Sequence, residues 1–177
     1  MRESFRHIER NKIVDLIGLG NAIVDIIVNI KDEFLEINKL EKGSMNLINA
    51  YESQTFLENC KVIKKISGGS SANTVVCLAE LGNNVQFIGR VKNDQFGNFF
   101  SSDIKKSKTI FNTPPTIEGA STAHSIILIT PDAQRTMCTY LGASIEFEPE
   151  DIDFTVIKES KYLYCLLYTS PSPRDLP

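Results

Sequence analysis

An α/β fold follows from three observations on this 177-residue chain. Residues 13–19 form an almost continuous apolar run that leads into Gly18-Leu19-Gly20, the pattern of a buried strand with a tight exit. A small-residue loop, Gly68-Gly69-Ser70-Ser71, passes straight into Val75, Val76, Leu78, Ala79 and Leu81 at helical spacing. That spacing predicts a helix beginning near Ala72 or Asn73 and ending at Gly82, a residue suited to a helix C-terminus. Val85-Gln86-Phe87-Ile88-Gly89 then reads as the next buried strand. Strand, loop, helix and strand in this succession build a sheet flanked by helices.

The length suits one domain with a real core, and 42% hydrophobic with 23% charged residues is ordinary for a globular protein. A net charge of -3 gives no electrostatic reason to expect nucleic acid or an anionic membrane as partner. No apolar run approaches a membrane span, and residues 1–12, with Arg2, Glu3, Arg6, Glu9 and Arg10, lack the apolar centre of a secretory signal; the cytoplasm is the expected compartment. Cys60, Cys77, Cys138 and Cys165 show no paired metal-binding spacing and read as reduced thiols. His7 and His124 are too isolated to form a metal site or a Ser-His arrangement.

Between the first strand and the glycine loop, residues 23–30 read as a second strand. Its Asp25 either faces solvent on an alternating strand or is buried with hydroxyl groups of a ligand as partners, because an unpaired buried carboxylate is costly. Residues 31–42 suit a short surface helix or turn, and 52–65 read as a helix with Phe56, Leu57, Cys60 and Ile63 on one side and Lys61, Lys64 and Lys65 at its end. Asp94 is suited to N-cap a helix carrying Phe96, Phe99, Phe100 and Ile104. Residues 124–130 and 136–141 read as a hairpin turning at Pro131 and Asp132. Residues 146–160 suit a loop and helix with Pro149 near the first helical turn, and 161–164 begin a further core strand. The glycine loop alone fits either a plain strand-to-helix connection or a ligand cradle, with free backbone N–H groups at the helix start.

Gly-Gly-x-x-x-Asn at Gly68 to Asn73, followed by a small-residue helix ending Leu81-Gly82, resembles the N-terminal signature of the ribokinase-like (PfkB-type) carbohydrate kinases. Gly20-Asn21-Ala22-Ile23-Val24-Asp25 resembles that family's sugar-hydroxyl motif, and Gly89 to Gly97 resembles its Gly-x-Val-Gly-x-Asp-x-Phe-Gly phrase, with Lys92 where glycine is usual. Thr130 to Ala143 resembles the second lid-bearing segment of adenosine-kinase-like bacterial members. The resemblance implies a three-layer α/β/α sandwich, here truncated, with a small β-sheet lid at about 26–48 and 120–141. It implies a small-molecule sugar or nucleoside substrate, ATP and Mg²⁺ as cofactors, and a monomer or homodimer. Asn21, Asp25, Gly68, Gly69, Ser70 and Asn73 become substrate contacts by this resemblance. Arg135 becomes a possible phosphate contact, its alternative being a solvated hairpin arginine.

The resemblance covers 14–164. Residues 13–164 are expected to be the N-terminal part of a kinase domain. Cys165-Leu166-Leu167-Tyr168-Thr169-Ser170-Pro171-Ser172-Pro173-Arg174-Asp175 resembles the translation of a sequencing adapter, so 165–177 are expected to be a non-native tail. In this family the C-terminal half carries the ATP site, the acidic Mg²⁺-organising motif and a Gly-Ala-Gly-Asp phrase with the catalytic aspartate; that phrase does not occur in this sequence. No catalytic or metal-binding residue is therefore assigned, and the chain is expected to bind substrate without phosphorylating it. Two alternatives are a non-catalytic sugar- or nucleoside-binding half-domain and a nucleotide-binding oxidoreductase. The latter is disfavoured because Gly18-Leu19-Gly20 lacks the third glycine and following helix of a dinucleotide site.

Overall fold

The computed structural model describes residues 14–166. The expected tail beyond 166, and Ile13, lie outside the described residues. Two sheets organise the chain. The body sheet has three parallel strands in the order β5-β1-β8, with β1 at Val14–Gly20, β5 at Val85–Ile88 and β8 at Ser160–Leu166. The second sheet has five strands in the order β3-β7-β6-β2-β4, with β2 at Ile23–Asn29, β3 at Met45–Leu47, β4 at Val62–Gly68, β6 at His124–Ile129 and β7 at Arg135–Tyr140. This is the lid.

The body is layered because its strands are apolar on both faces. Val14, Ile17, Leu19 and Ile88 pack on one side against Phe147, Ile152, Val156 and Ile157, from the segment that ends in α5 (Phe154–Glu159). On the other side lies α3 (Ser70–Glu80), whose Val75 and Ala79 join Phe87 and Phe111 in the main core. Phe87, Phe100 and Phe111 form an aromatic group with ring centroids 5.3–6.0 Å apart, which ties β5 to α4 (Gln95–Ile104).

Strand periodicity explains the lid. Val24, Ile26 and Val28 of β2 are fully buried and share the main core with Ile126, Leu128, Cys138 and Phe56. The opposite face carries Asp25 and Ile27, level with Ser125 and Ile127 of β6 and with Thr139 and Met137 of β7. The hairpin falls where the sequence places it, as does the short helix expected within 31–42, α1 (Asp32–Ile37).

Three boundaries differ from expectation. The helix read over 52–65 is α2, Ala50–Asn59, and it stops where the chain leaves the helical region at Cys60. Residues 62–68 instead form β4, antiparallel to β2 and paired on that side alone. Lys61, just ahead of β4, and Lys64, on it, are therefore not helix-terminal cations; an exposed lysine on an edge strand discourages a further strand from adding. Helix α3 begins at Ser70, earlier than predicted, because Gly69 takes φ +103° and turns the chain directly into it. Around Pro149 the chain makes a short 3-10 turn, Pro149–Asp151, and the helix follows later, at Phe154–Glu159. Strand β8 runs through Cys165 to Leu166, which pairs with Gly20. The four cysteines are free thiols.

The aromatic group should dominate body stability. Phe87→Ala is expected to cost about 3–5 kcal/mol, the range for emptying a fully buried aromatic site, read as a lowered denaturant midpoint; a loss under about 1 kcal/mol would show that the group is not a close-packed centre.

Candidate substrate-binding site

Parallel strands deliver their loops to one end of a sheet, and ligands collect beyond the carboxyl ends of the strands. Strand β1 ends there at Gly20, and Asn21-Ala22 carry the chain up into β2 of the lid. The return crossing is Gly68-Gly69, from β4 down into α3. These two crossings touch. A Cβ on Gly69 would collide with the backbone oxygen of Asn21, and a Cβ on Gly68 would collide with the carboxylate of Asp25. At Gly68 the need is for absence of bulk, since its φ is not positive; at Gly69 both space and the φ of +103° require glycine.

The structure thus joins four of the expected residues, Asn21, Asp25, Gly68 and Gly69, in one cluster. Asp25 is half-buried, and burial alone pushes its carboxyl up to about 6. Asn21 is 6% exposed, and neither atom of its amide has a hydrogen-bond partner within the described residues. A buried amide with neither group satisfied is costly, so a hydroxyl-rich molecule that both donates and accepts would be stabilised here. Ser70 and Asn73 occupy the first turn of α3 beside the cluster, both exposed. The N–H of Asn73 already donates to the Gly69 carbonyl (2.8 Å), and Gly69 offers no side-chain cap, so the N–H groups ahead of Asn73 have no intrahelical acceptor. Arg135 stands apart. It shares the face of Asp25 but pairs with Ile129, four rungs along the lid from the rung of Asp25 and Ser125, about 13 Å at normal strand rise.

Two further polar groups at this end were not singled out from the sequence. The Ser71 hydroxyl, 1% exposed, has no partner within the described residues and packs against Gly18 and Gly20. Arg90, just beyond β5, donates through Nη1 to the Glu146 carbonyl (2.6 Å) and the Asp151 carboxylate (3.1 Å), while its buried Nε has no partner. Parallel pairing of β5 with β1 was the available signal, since it brings Arg90 to the strand end that carries Asn21. Ser125, Ile127 and Thr139 extend the lid face above Asp25, with the Ser125 and Thr139 hydroxyls hydrogen-bonded at 2.8 Å.

Residues 42–173 match the pfkB family carbohydrate kinase description. The chain belongs to that family. The match extends past Cys165, where the sequence alone places a break. Among solved structures, the pfkB chain is similar to adenosine kinase from Sinorhizobium meliloti, at 41% identity and TM-score 0.79 over 86% of this chain and 47% of that one. It is similar to a probable sugar kinase from Rhizobium etli, at 38% identity and TM-score 0.79 over 87% of this chain and 47% of that one. Among curated relatives, a 5-dehydro-2-deoxygluconokinase of Bacillus anthracis is 29% identical over 88% of this chain and 41% of its own length. The chain thus spans just under half the length of these relatives. The ribokinase-like α/β fold with its lid is the fold of the adenosine and sugar kinase structures it matches.

Kinases of this family use ATP, usually with Mg²⁺; among the described residues no group of three or more His, Cys, Asp or Glu is placed to hold a metal ion. The unpartnered Asn21 amide and Ser71 hydroxyl can each donate and accept hydrogen bonds, whereas the unpartnered Nε of Arg90 only donates. Among the described residues no helix is long and apolar enough to cross a membrane.

The raised Asp25 carboxyl makes the folded state bind its proton more tightly than the unfolded chain does. Stability therefore falls as pH rises from about 4 to about 6, by about 3 kcal/mol at most for a shift of this size. Asp25→Asn should remove that loss, giving a variant more stable than the parent at pH 7.5 and equal to it near pH 3.5 in urea melts. Equal stabilities at both pH values would show that Asp25 is not desolvated.

Proposed function

We propose that the chain provides the acceptor half of an ATP-dependent kinase that phosphorylates a hydroxyl of a nucleoside or sugar, with adenosine the leading candidate. The observation that carries this reading is the cluster of Asp25, Gly68, Gly69 and the unpartnered Asn21 amide beneath a lid, at the carboxyl end of a parallel sheet. Vicinal hydroxyls of a furanose ring would donate to the Asp25 carboxylate, and the Asn21 amide would donate to and accept from the same ring. The glycine pair lets the ring approach the main chain. Exposed N–H groups at the start of α3 and the Asn73 side chain would take the remaining oxygens. Similarity to the Sinorhizobium meliloti adenosine kinase supports the choice of adenosine, and the Rhizobium etli and Bacillus anthracis relatives support the wider class of sugars.

The lid crosses to the body at Asn21-Ala22 and at Gly68-Gly69, so it would hinge there and close over the acceptor, excluding water that competes for a phosphoryl group. We further propose that residues 13–164 make up this acceptor-binding part, that the chain by itself binds without transferring phosphate, and that it works in the cytoplasm as a monomer or homodimer. Arg135 would meet a phosphate oxygen only if lid closure carries it across the distance described above.

The test is titration calorimetry of the chain with adenosine, ribose and fructose. Binding of adenosine is expected to strengthen between pH 5 and pH 7, because the hydroxyls need the ionised carboxylate and Asp25 titrates at about 6. Asp25→Ala should weaken binding by roughly a hundredfold, the size expected when hydrogen bonds to a charged acceptor are lost, while the far-ultraviolet spectrum stays the same. Affinity unchanged by the substitution would overturn the assignment of Asp25 to the acceptor.

A further inference from the structure

We infer that Asp94 is a positioning residue for Asp25, anchoring to the body the segment that enters β6 at Thr122 through one carboxylate oxygen while capping α4 with the other. The role in substrate binding rests on the proposed assignment of Asp25; the anchoring geometry does not.

The two oxygens of Asp94 have different partners. Oδ1 accepts the Gly97 N–H at 2.8 Å, the ordinary N-cap bond of α4. Oδ2 accepts the Thr122 N–H at 2.8 Å, and Thr122 lies 28 residues away, two before the first residue of β6. A cap needs one acceptor. The second oxygen is spent on the lid.

Thr122 is fully buried and held from several sides. Its hydroxyl accepts the Lys92 N–H (2.9 Å), and its carbonyl accepts from Nδ1 of His124 (3.0 Å). A Cβ on Gly97 would collide with the Lys92 carbonyl and lie 2.9 Å from the Thr122 hydroxyl, so glycine at 97 is what lets the first turn of α4 press against this segment. Phe96, between Asp94 and Gly97, packs at a tilt against His124 with centroids 4.6 Å apart and carries Lys65 of β4 over its ring at 5.1 Å. At the far end of α4, the Asp103 carboxylate accepts the N–H of Ser67, the residue before Gly68 (2.8 Å). Helix α4 therefore grips both β6 and β4, and the Asp-x-Phe-Gly phrase supplies the grip on β6.

From Thr122 the path to Asp25 is short and made of backbone. The next carbonyl, that of Ala123, accepts the Val24 N–H at 3.0 Å, and Val24 precedes Asp25. The register follows, with Val24 opposite His124 and Asp25 opposite Ser125. Fixing Thr122 fixes the start of β6, which fixes the height of β2 and sets the Asp25 carboxylate on Gly68.

Two variants separate anchor from cap. Asp94→Ser keeps a hydroxyl that can cap α4, and Asp94→Asn keeps one acceptor oxygen; neither places an acceptor atom at both positions that Oδ1 and Oδ2 occupy against Gly97 and Thr122. Amide hydrogen exchange on the full chain is the primary readout. The Val24 amide is expected to lose protection by roughly ten- to a hundredfold, the loss expected for one hydrogen bond to a charged acceptor, while amides in α3 and β5 keep theirs. The Asp25 carboxyl should titrate closer to the ordinary carboxylate range, and adenosine affinity should fall by a similar factor. Unchanged Val24 protection in both variants would overturn the inference. Loss of protection throughout α3 and β5 would also overturn it, making Asp94 a general structural cap. If the parent chain binds none of adenosine, ribose and fructose while Val24 behaves as expected, the anchor stands and the acceptor assignment falls.

Discussion

Asp25 sits on the inner face of a lid strand with the main chain of Gly68 against its carboxylate, and burial pushes its carboxyl up to about 6. Much of the architecture can be understood as what it takes to hold a carboxylate in that position. The strand that carries it has to be apolar on its other face to stay in the lid, which Val24, Ile26 and Val28 secure. The neighbouring crossing has to come within a side chain's width, which the glycine pair permits. The energetic cost of desolvating the group is about 3 kcal/mol at most, a large share of a small domain's net stability, so the rest of the fold must offset it.

The offset comes from two cores that share the body sheet. The aromatic group of Phe87, Phe100 and Phe111 extends from the body into α4, and α4 in turn holds two lid strands, β6 through Asp94 and β4 through Asp103. Lid and body are thus distinct sheets linked by short crossings and by one helix. Helix-mediated contacts and glycine crossings, unlike a continuous sheet shared by lid and body, leave the lid a way to rotate.

Much of this was legible in the sequence, and the exceptions have physical causes. Continuous apolar runs gave β1 and β5 because a strand covered on both faces leaves no polar positions. Asp94 was legible as a cap, and its grip on Thr122 was not, because a contact across 28 residues leaves no local pattern. Strand β4 was read as the end of a helix because Lys61, Lys64 and Lys65 at one end of an amphipathic stretch imitate the cations of a helix C-terminus; only its pairing with β2 reveals an edge strand. Asn21, Asp25, Gly68 and Gly69 were legible through two short motifs, and the structure brings those motifs into contact. The buried, unpartnered groups of Ser71 and Arg90 could not be read in advance, since being without a partner is a property of the packed molecule.

The most direct test of the central claim, that the acceptor binds between the Asn21 and Gly68-Gly69 crossings, is a ¹⁵N-resolved titration of the chain with adenosine that maps which amides shift. The account predicts that the largest changes fall on Asn21, Asp25, Gly68, Gly69 and the first turn of α3. Changes centred instead on the cleft behind the lid, around Ser53, Phe96, His124 and Tyr140, would contradict it.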